Sequence, residues 1–367
     1  MTNQIKFKIT PRQYMFILIG SAIGSGIFSL PREAGSEALQ DGWIAVLMGV
    51  FSALLSLVLI VKVCKKYPDL TIYEITERLA GKWMAIIFTI GFVIYTFFIA
   101  ALSIRIFSEI TSLFLLTHTP VIVIMSIYML FVVYAIKGGA QYIGRFNEFI
   151  FIFLILSILL MLPSLSEGYY TNIFPIGEAG AKKILKAFMK TAFSYASVEV
   201  TFVYYSMVSE KDKILKYGTA AMCITAFIYT LVTAICIVVF GASMLQKIIW
   251  PPILLYKIVD VPIIERLDLL FLLLWIALAV RPAINFSFAS AYSILQILGL
   301  KENRFPLVCI ISGVCIFFIA IIPQNMNQVF RIATYSGYGF FVIGIGYPII
   351  LLTVSIFKRE VRAIEKK

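Results

Sequence analysis

Three glycines within seven residues, Gly20, Gly24 and Gly26, interrupt the first long apolar stretch of this 367-residue chain. Ser21, Ser25 and Ser29 lie among them, and Pro31 closes the run. Glycine and proline are poor material for an unbroken helix. In hydrocarbon, unwound backbone is tolerated only where protein buries it or where it lines a wet cavity. A helix that stops at membrane depth presents free N–H and C=O groups, ready to meet a carboxylate or a cation. The competing reading is close helix packing through small residues. A second interruption is expected at Phe193-Ser194-Tyr195-Ala196-Ser197-Val198-Glu199, which places two serines, a tyrosine and a carboxylate inside an apolar segment. No glycine or proline marks it, so its signal is weaker than the first.

Charges inside apolar spans are few, and each is expensive enough to need a reason. Glu199 is the sharpest: it can accept a proton, bind a substrate ammonium, or pair within the bundle. Lys190 lies nine residues earlier, about 13 Å along a continuous helix, so direct pairing with Glu199 requires the break. Arg105 and Glu109 are spaced i,i+4 and share a helix face. They read as a self-contained ion pair, with a cavity-lining gate as the alternative. Arg281 is a further buried cation, and Pro282 beside it is expected to kink its helix. Glu148 is expected near Arg145 at the membrane interface. Tyr95, Phe97 and Phe98 read as packing.

The elements that position these groups follow from composition. Hydrophobic residues make up 61% of the chain and charged residues 14%, which excludes an ordinary soluble domain. A bilayer crossing takes about 20 apolar residues. Ten spans are expected, at 13–30, 43–64, 84–115, 119–136, 145–163, 184–208, 215–240, 267–298, 305–322 and 334–357. The first follows a basic start but lacks a small-residue cleavage site, so it reads as a retained span. With the N-terminus inside, 20 Lys and Arg fall in cytoplasmic segments, among them Lys62, Lys65, Lys66, Lys211, Lys213, Lys358 and Arg362. That bias places both termini in the cytoplasm. It also assigns the net charge of +12 to anionic lipid headgroups. No soluble basic module is present for nucleic acid. The segments 67–82 and 253–261 read as short amphipathic helices, the second a membrane-surface anchor after Trp250-Pro251-Pro252.

Several chemistries lack their residues. Cys64, Cys223, Cys236, Cys309 and Cys315 are scattered without CxxC spacing and read as small buried hydrophobes. His118, the one histidine, sits in an expected outside turn and makes neither a triad nor a metal site. No phosphate-binding glycine loop precedes Lys-Ser/Thr. Neither an enzyme nor a cofactor is expected.

The expected spans divide into two blocks of five, 13–163 and 184–357, joined by a loop. An odd number of spans reverses direction, so the second block is inverted relative to the first. Inverted repeats with broken first helices build many secondary transporters, with substrate at the breaks. The expected fold is therefore an all-α integral membrane protein, one domain over 1–367. It has ten transmembrane helices in two inverted repeats, with helices one and six broken.

Gly20-Ser21-Ala22-Ile23-Gly24-Ser25-Gly26-Ile27-Phe28, with Leu30-Pro31, resembles the first-helix motif of the amino acid–polyamine–organocation transporter superfamily, whose fold is the LeuT/APC-like one. The segment 193–199 is similar to that superfamily's broken sixth helix. Members usually have about a dozen spans, the first ten forming the inverted core. This chain stops at ten with short termini, which points to the endospore germination permeases, the B subunits of spore germinant receptors. Further marks are Asp41-Gly42-Trp43, Tyr67-Pro68, Gly81-Lys82-Trp83, Arg105 with Glu109, Trp250-Pro251, and Glu265-Arg266-Leu267-Asp268 running into Leu274-Trp275-Ile276.

The resemblance implies a sensor that binds a small nutrient such as an amino acid and works with A and C subunits in the spore inner membrane. It implies a ligand carboxylate held by backbone N–H groups around Gly24, Ser25 and Gly26. The ligand's amino group would meet carbonyls near Phe193 and Ser194, with Gly20 in the motif, and Tyr195 and Ser197 shaping the pocket. Glu199 matches the family's sixth-helix acid. Two function classes then compete: a receptor subunit whose conformation shifts on binding, and an autonomous proton-coupled amino acid transporter working through Glu199.

Overall fold

Thr10 begins the first helix in the computed structural model, which describes residues 7–258 and 267–364, without the side chains of Ala192, Phe193, Leu267 and residues 359–364. The Thr10 hydroxyl and Gln13 side chain form a reciprocal cap, and Pro11 supplies the first turn of α1 (Pro11–Ala22). The helix stops at Ile23, whose extended backbone (φ −84°, ψ 93°) turns the chain out. It restarts as α2 (Gly26–Ala38). Pro31 was expected to close this segment; it instead lies inside α2, which continues past it. The first turns of that helix are therefore what the motif builds.

Four further helices complete the first half around a short one: α3 (Gly42–Lys65), α4 (Ile72–Ala80), α5 (Lys82–Phe114), α6 (Val121–Lys137) and α7 (Gly139–Met161). The α4 segment is the expected short amphipathic helix, capped by Thr71 with Glu74. The second half begins with α8 (Gly180–Thr191) and then loses α-helical geometry. Residues 192–195 and 198–200 are separate 3-10 turns, followed by the four-residue α9 (Thr201–Tyr204). Ser197, between the turns, has φ −166° and ψ −26°. The remainder is α10 (Ile214–Leu245), α11 (Pro251–Ile258), α12 (Leu267–Ile297), α13 (Phe305–Ile321), α14 (Met326–Phe340) and α15 (Tyr347–Ile364). A π-helical stretch, Phe341–Gly346, joins the last two.

Among the described residues, seven helical segments are long and apolar enough to cross a membrane. The other three expected spans are the shorter Val121–Lys137 and the two interrupted segments, which length alone does not select. The last expected span, 334–357, is longer at both ends.

The interrupted segments are tied to each other at several points. At one end Ile9 pairs with Val208 in an isolated parallel bridge, Ile9 N donating to Met207 O (2.9 Å) and Ser209 N to Ile9 O (2.9 Å). One helical turn further in, Tyr14 Oη lies 2.7 Å from Thr201 Oγ1. At the other end Glu37 of α2 takes an ion pair from Lys186 (2.9 Å) and another from Lys190. The buried Asp41 carboxylate accepts from Gly177 N (2.7 Å) and Ala179 N (2.9 Å), fixing the entry to α8.

Several expectations are corrected here. Lys190 is not a buried charge and does not pair with Glu199; it is exposed at the end of a helix whose Lys182, Lys183 and Lys186 also face outward. The apolar part of this span starts later than 184, so the lysine head stays wet. Glu148, three residues after Arg145 on α7, pairs with Arg12 (2.9 Å). The helix after Trp250 is packed inside the protein: Pro251, Pro252, Ile253, Leu255 and Tyr256 are buried. Tyr256 donates to Ser157 O (2.7 Å) and stacks on Phe271 at 3.7 Å. Residues 259–261 of that segment, and Glu265 and Arg266 of the motif that follows it, lie outside the described residues. Cys64, Cys236 and Cys309 are buried, but Cys223 and Cys315 are exposed.

Candidate functional site

The two interruptions meet at one partly open cleft. Ser21, Gly24, Ser25, Gly26, Ser103 and Ser194 line it with polar or backbone groups. Ile99, Leu102, Ile106 and Pro282 supply apolar wall. Ser25 is the N-cap of α2 but its side chain makes no capping bond. The first N–H groups of a helix have no intrahelical acceptor, and they carry the positive end of its dipole. The start of α2 therefore presents uncapped donors to the cleft, a suitable seat for a carboxylate.

Each glycine of the motif has a distinct physical job. A Cβ on Gly20 would fall 1.9 Å from Asn147 Oδ1, and one on Gly24 would fall 2.3 Å from the Pro282 ring. Both glycines let α1 approach α7 and α12. At Gly26 the nearest atom to an added Cβ is Ser194 Oγ at 4.0 Å. Gly26 faces open cleft.

Not all the expected site residues line this cleft. Gly24, Ser25, Gly26 and Ser194 do; Gly20, Tyr195, Ser197 and Glu199 do not. The Phe193 side chain lies outside the described residues. Tyr195 does not shape the pocket: it is fully buried against Gly49 and donates to Val46 O (2.7 Å), which anchors the second break to α3. Ser197 Oγ donates to Tyr195 O (3.2 Å) and closes the turn locally.

Glu199 occupies a separate compartment. Tyr95 donates to its Oε1 (2.8 Å), while Oε2 is buried without a hydrogen-bond partner. A Cβ on Gly344, in the π-helical stretch, would lie 3.4 Å from Glu199 Cγ. The displaced Gly344 carbonyl accepts from Ser56 Oγ (2.7 Å). Tyr95 is thus more than packing. Arg105 and Glu109 form the expected ion pair, and Arg105 Nε also donates to Pro323 O (3.3 Å). Arg105 lines a second, apolar cleft with Phe98 and Ile332, which shares Leu102 with the first.

Three groups that sequence reasoning missed hold the breaks in place. Tyr229 of α10 is fully buried, its Oη 2.5 Å from Ala22 O and 3.1 Å from Ser194 O. One hydroxyl proton therefore serves both interruptions. Asn285 Nδ2 donates to Ser21 Oγ (2.9 Å) and Ile17 O (3.1 Å). Asn147 Nδ2 donates to Asn285 Oδ1 (2.9 Å), so paired amides clamp α1, α7 and α12. An amide within an apolar span was the available signal, because such groups bond across helices. Arg281 is fully buried, with Nη2 on Ile23 O (3.2 Å) and Nε on Leu278 O (3.1 Å). Among the described residues no group of three His, Cys, Asp or Glu is placed to hold a metal ion.

Tyr229→Phe removes the shared proton while keeping the ring. It is expected to destabilise the protein by about 1 kcal/mol, the usual net worth of one such bond. A melting curve in detergent checks this, with Tyr128→Phe as a control for losing a half-buried, hydrogen-bonded hydroxyl elsewhere.

Comparison with known proteins agrees with this geometry. MhsT, solved in complex with L-phenylalanine, matches with TM-score 0.62 at 16% identity, covering 95% of this chain and 98% of that one. A Na⁺-coupled sialic acid symporter matches with TM-score 0.66 at 11% identity, covering 93% of this chain and 80% of that one. These likenesses establish a LeuT-like fold. Among sequence relatives, spore germination protein YndE of Bacillus subtilis is 28% identical over 96% of this chain and 98% of its own length. Spore germination protein B2 of the same organism is 26% identical over 92% of each. The family model described as "Spore germination protein" matches residues 8–329. With its apolar helices and this match over most of its length, the chain is an integral membrane protein that belongs to the spore germination protein family.

Proposed function

We propose that the chain is the B subunit of a spore germinant receptor that binds a small nutrient at the paired breaks and signals to A and C subunits. The observation that carries this reading is the convergence of both interruptions on one cleft, with the uncapped start of α2 facing it. An amino acid suits the chemistry: its carboxylate meets the N–H groups of Ser25 and Gly26, and its ammonium meets carbonyls near Ser194. The L-phenylalanine bound to MhsT, a protein of the same fold, supports that choice of ligand class. On this reading the whole of 1–367 is one domain, with repeats at 13–163 and 184–357. It lies in the spore inner membrane with both termini cytoplasmic, and its work is binding and conformational change, not catalysis.

The unpartnered Glu199 Oε2 favours a second reading, an autonomous proton-coupled amino acid transporter. A buried carboxyl oxygen without a donor is well placed to carry a proton. The two readings separate in a paired assay on purified protein, with labelled amino acids and sugars screened in detergent and in proteoliposomes under a proton gradient. Saturable binding without accumulation is the result expected of a receptor subunit. Accumulation that Glu199→Gln abolishes would replace it by the transporter.

A further inference from the structure

Arg281 is the largest side chain fully withdrawn from solvent, and its surroundings give it an unusual task. It lies on α12 just before Pro282, against the end of α1. Its Nη1 is buried without a hydrogen-bond partner, and among the described residues no carboxylate stands within ion-pair distance. A guanidinium does not give up its proton in proteins. A full positive charge is therefore held in the interior with no counter-ion among the described residues, an arrangement that survives only if fixed dipoles take its place.

The end of α1 supplies them. The last carbonyls of a helix lack intrahelical donors and carry the negative end of the dipole. At this break the carbonyls of Ala22 and Ile23 already have donors. Ala22 O accepts from Gly24 N (3.1 Å) and Tyr229 Oη (2.5 Å), and Ile23 O accepts from Arg281 Nη2 (3.2 Å). In broken-helix bundles such carbonyls coordinate Na⁺. The symporter of like fold is itself described as Na⁺-coupled, with a Na⁺ site.

We propose that Arg281 is a resident cation, filling the position at the α1 break where a monovalent metal ion would otherwise bind, so that this chain holds its first helix in the broken form without Na⁺. The local shape serves that end. A Cβ at Gly20 would lie 3.3 Å from Arg281 Cδ, and one at Gly24 would collide with Pro282. Their absence lets α12 come close enough for the guanidinium to reach Ile23 O. The surplus of donors at Nη1 marks a group kept for its charge and not for its bond count. A cation tethered to α12 cannot dissociate, so a Na⁺ gradient has nothing to pull on at this site.

The consequence for the nutrient, that it binds without Na⁺, rests on the function proposed above. The test does not, because its probe is Na⁺ alone. Melting temperatures of the purified full chain are compared in NaCl and choline chloride at equal ionic strength, together with equilibrium binding of radiolabelled Na⁺. The wild type is expected to melt alike in both salts and to bind no Na⁺ saturably. Arg281→Ala is expected to melt lower in choline and to recover by several degrees, saturably, in Na⁺. Where Arg281→Ala cannot be extracted folded in choline, monodisperse protein in Na⁺ alone supports the proposal equally. Saturable Na⁺ binding by the wild type overturns it whatever the variant does, and so does an Arg281→Ala protein that responds identically to the two salts.

Discussion

Gly26→Val is expected to abolish nutrient binding while leaving insertion and melting temperature close to those of the wild type. The added Cβ meets only Ser194 Oγ, at 4.0 Å, so the protein itself does not resist it. The branched side chain projects instead into the cleft, over the N–H groups that are to seat the carboxylate. Overpacking a fitted site costs about 1–3 kcal/mol, which corresponds to roughly five- to 150-fold in affinity, and a blocked carboxylate seat adds to it. Gly24→Val is the contrasting case. Its Cβ lands 2.3 Å from the Pro282 ring, so the damage goes to the fold and the melting temperature falls. Isothermal titration on both variants, paired with thermal melts, tells the two effects apart. Binding by Gly26→Val at wild-type affinity would remove the site from this cleft.

Glu109→Ala is expected to have the largest effect on stability among the charged positions, a loss of about 3 kcal/mol or more. Arg105 has only 10% of its side chain exposed and keeps its charge when the partner leaves. Its Nε bond to Pro323 O ties α5 to the turn before α14, but a carbonyl does not neutralise it. Removing both charges at once, as Arg105→Met with Glu109→Met, is expected to recover most of the loss, because a buried pair replaced by apolar groups is often nearly neutral. Thermal melts of the single and double variants check the cycle. Equal damage from the double variant would show that the pair itself, and not the stranded arginine, carries the stability.

The first break was legible because its cause is local. Gly24 and its neighbours lack the side chains that would hold a helix together, and the sequence shows that directly. The second break was not, because no residue in 193–199 forbids a helix. What unwinds it lies on other elements: Val46 O holds the Tyr195 hydroxyl, Gly49 leaves space for its ring, and Tyr229 takes the Ser194 carbonyl. Serine placement hinted at the site, but not which serines face the cleft. Ser194 lines it and Ser197, three residues later, does not, a difference set by the 3-10 geometry that the sequence does not display. Lys190 was misplaced for the opposite reason. Its neighbours Ala187 and Phe188 read as membrane, whereas the four lysines of α8 follow the outer surface. The asparagine clamp and the Tyr229 bridge are long-range pairings, joining residues 138 and 207 positions apart, and no local pattern announces them.

The ties between the two interrupted segments change what kind of machine this bundle is. They are riveted at three heights: Ile9 to Val208 below, Tyr229 across the middle, and Glu37 to Lys186 and Lys190 above. Two jointed rods fastened in this way lose their independent joints and become one lever. On the proposed function, motion set off at the cleft is carried by the lever as a whole, and it arrives at both ends of the bundle together.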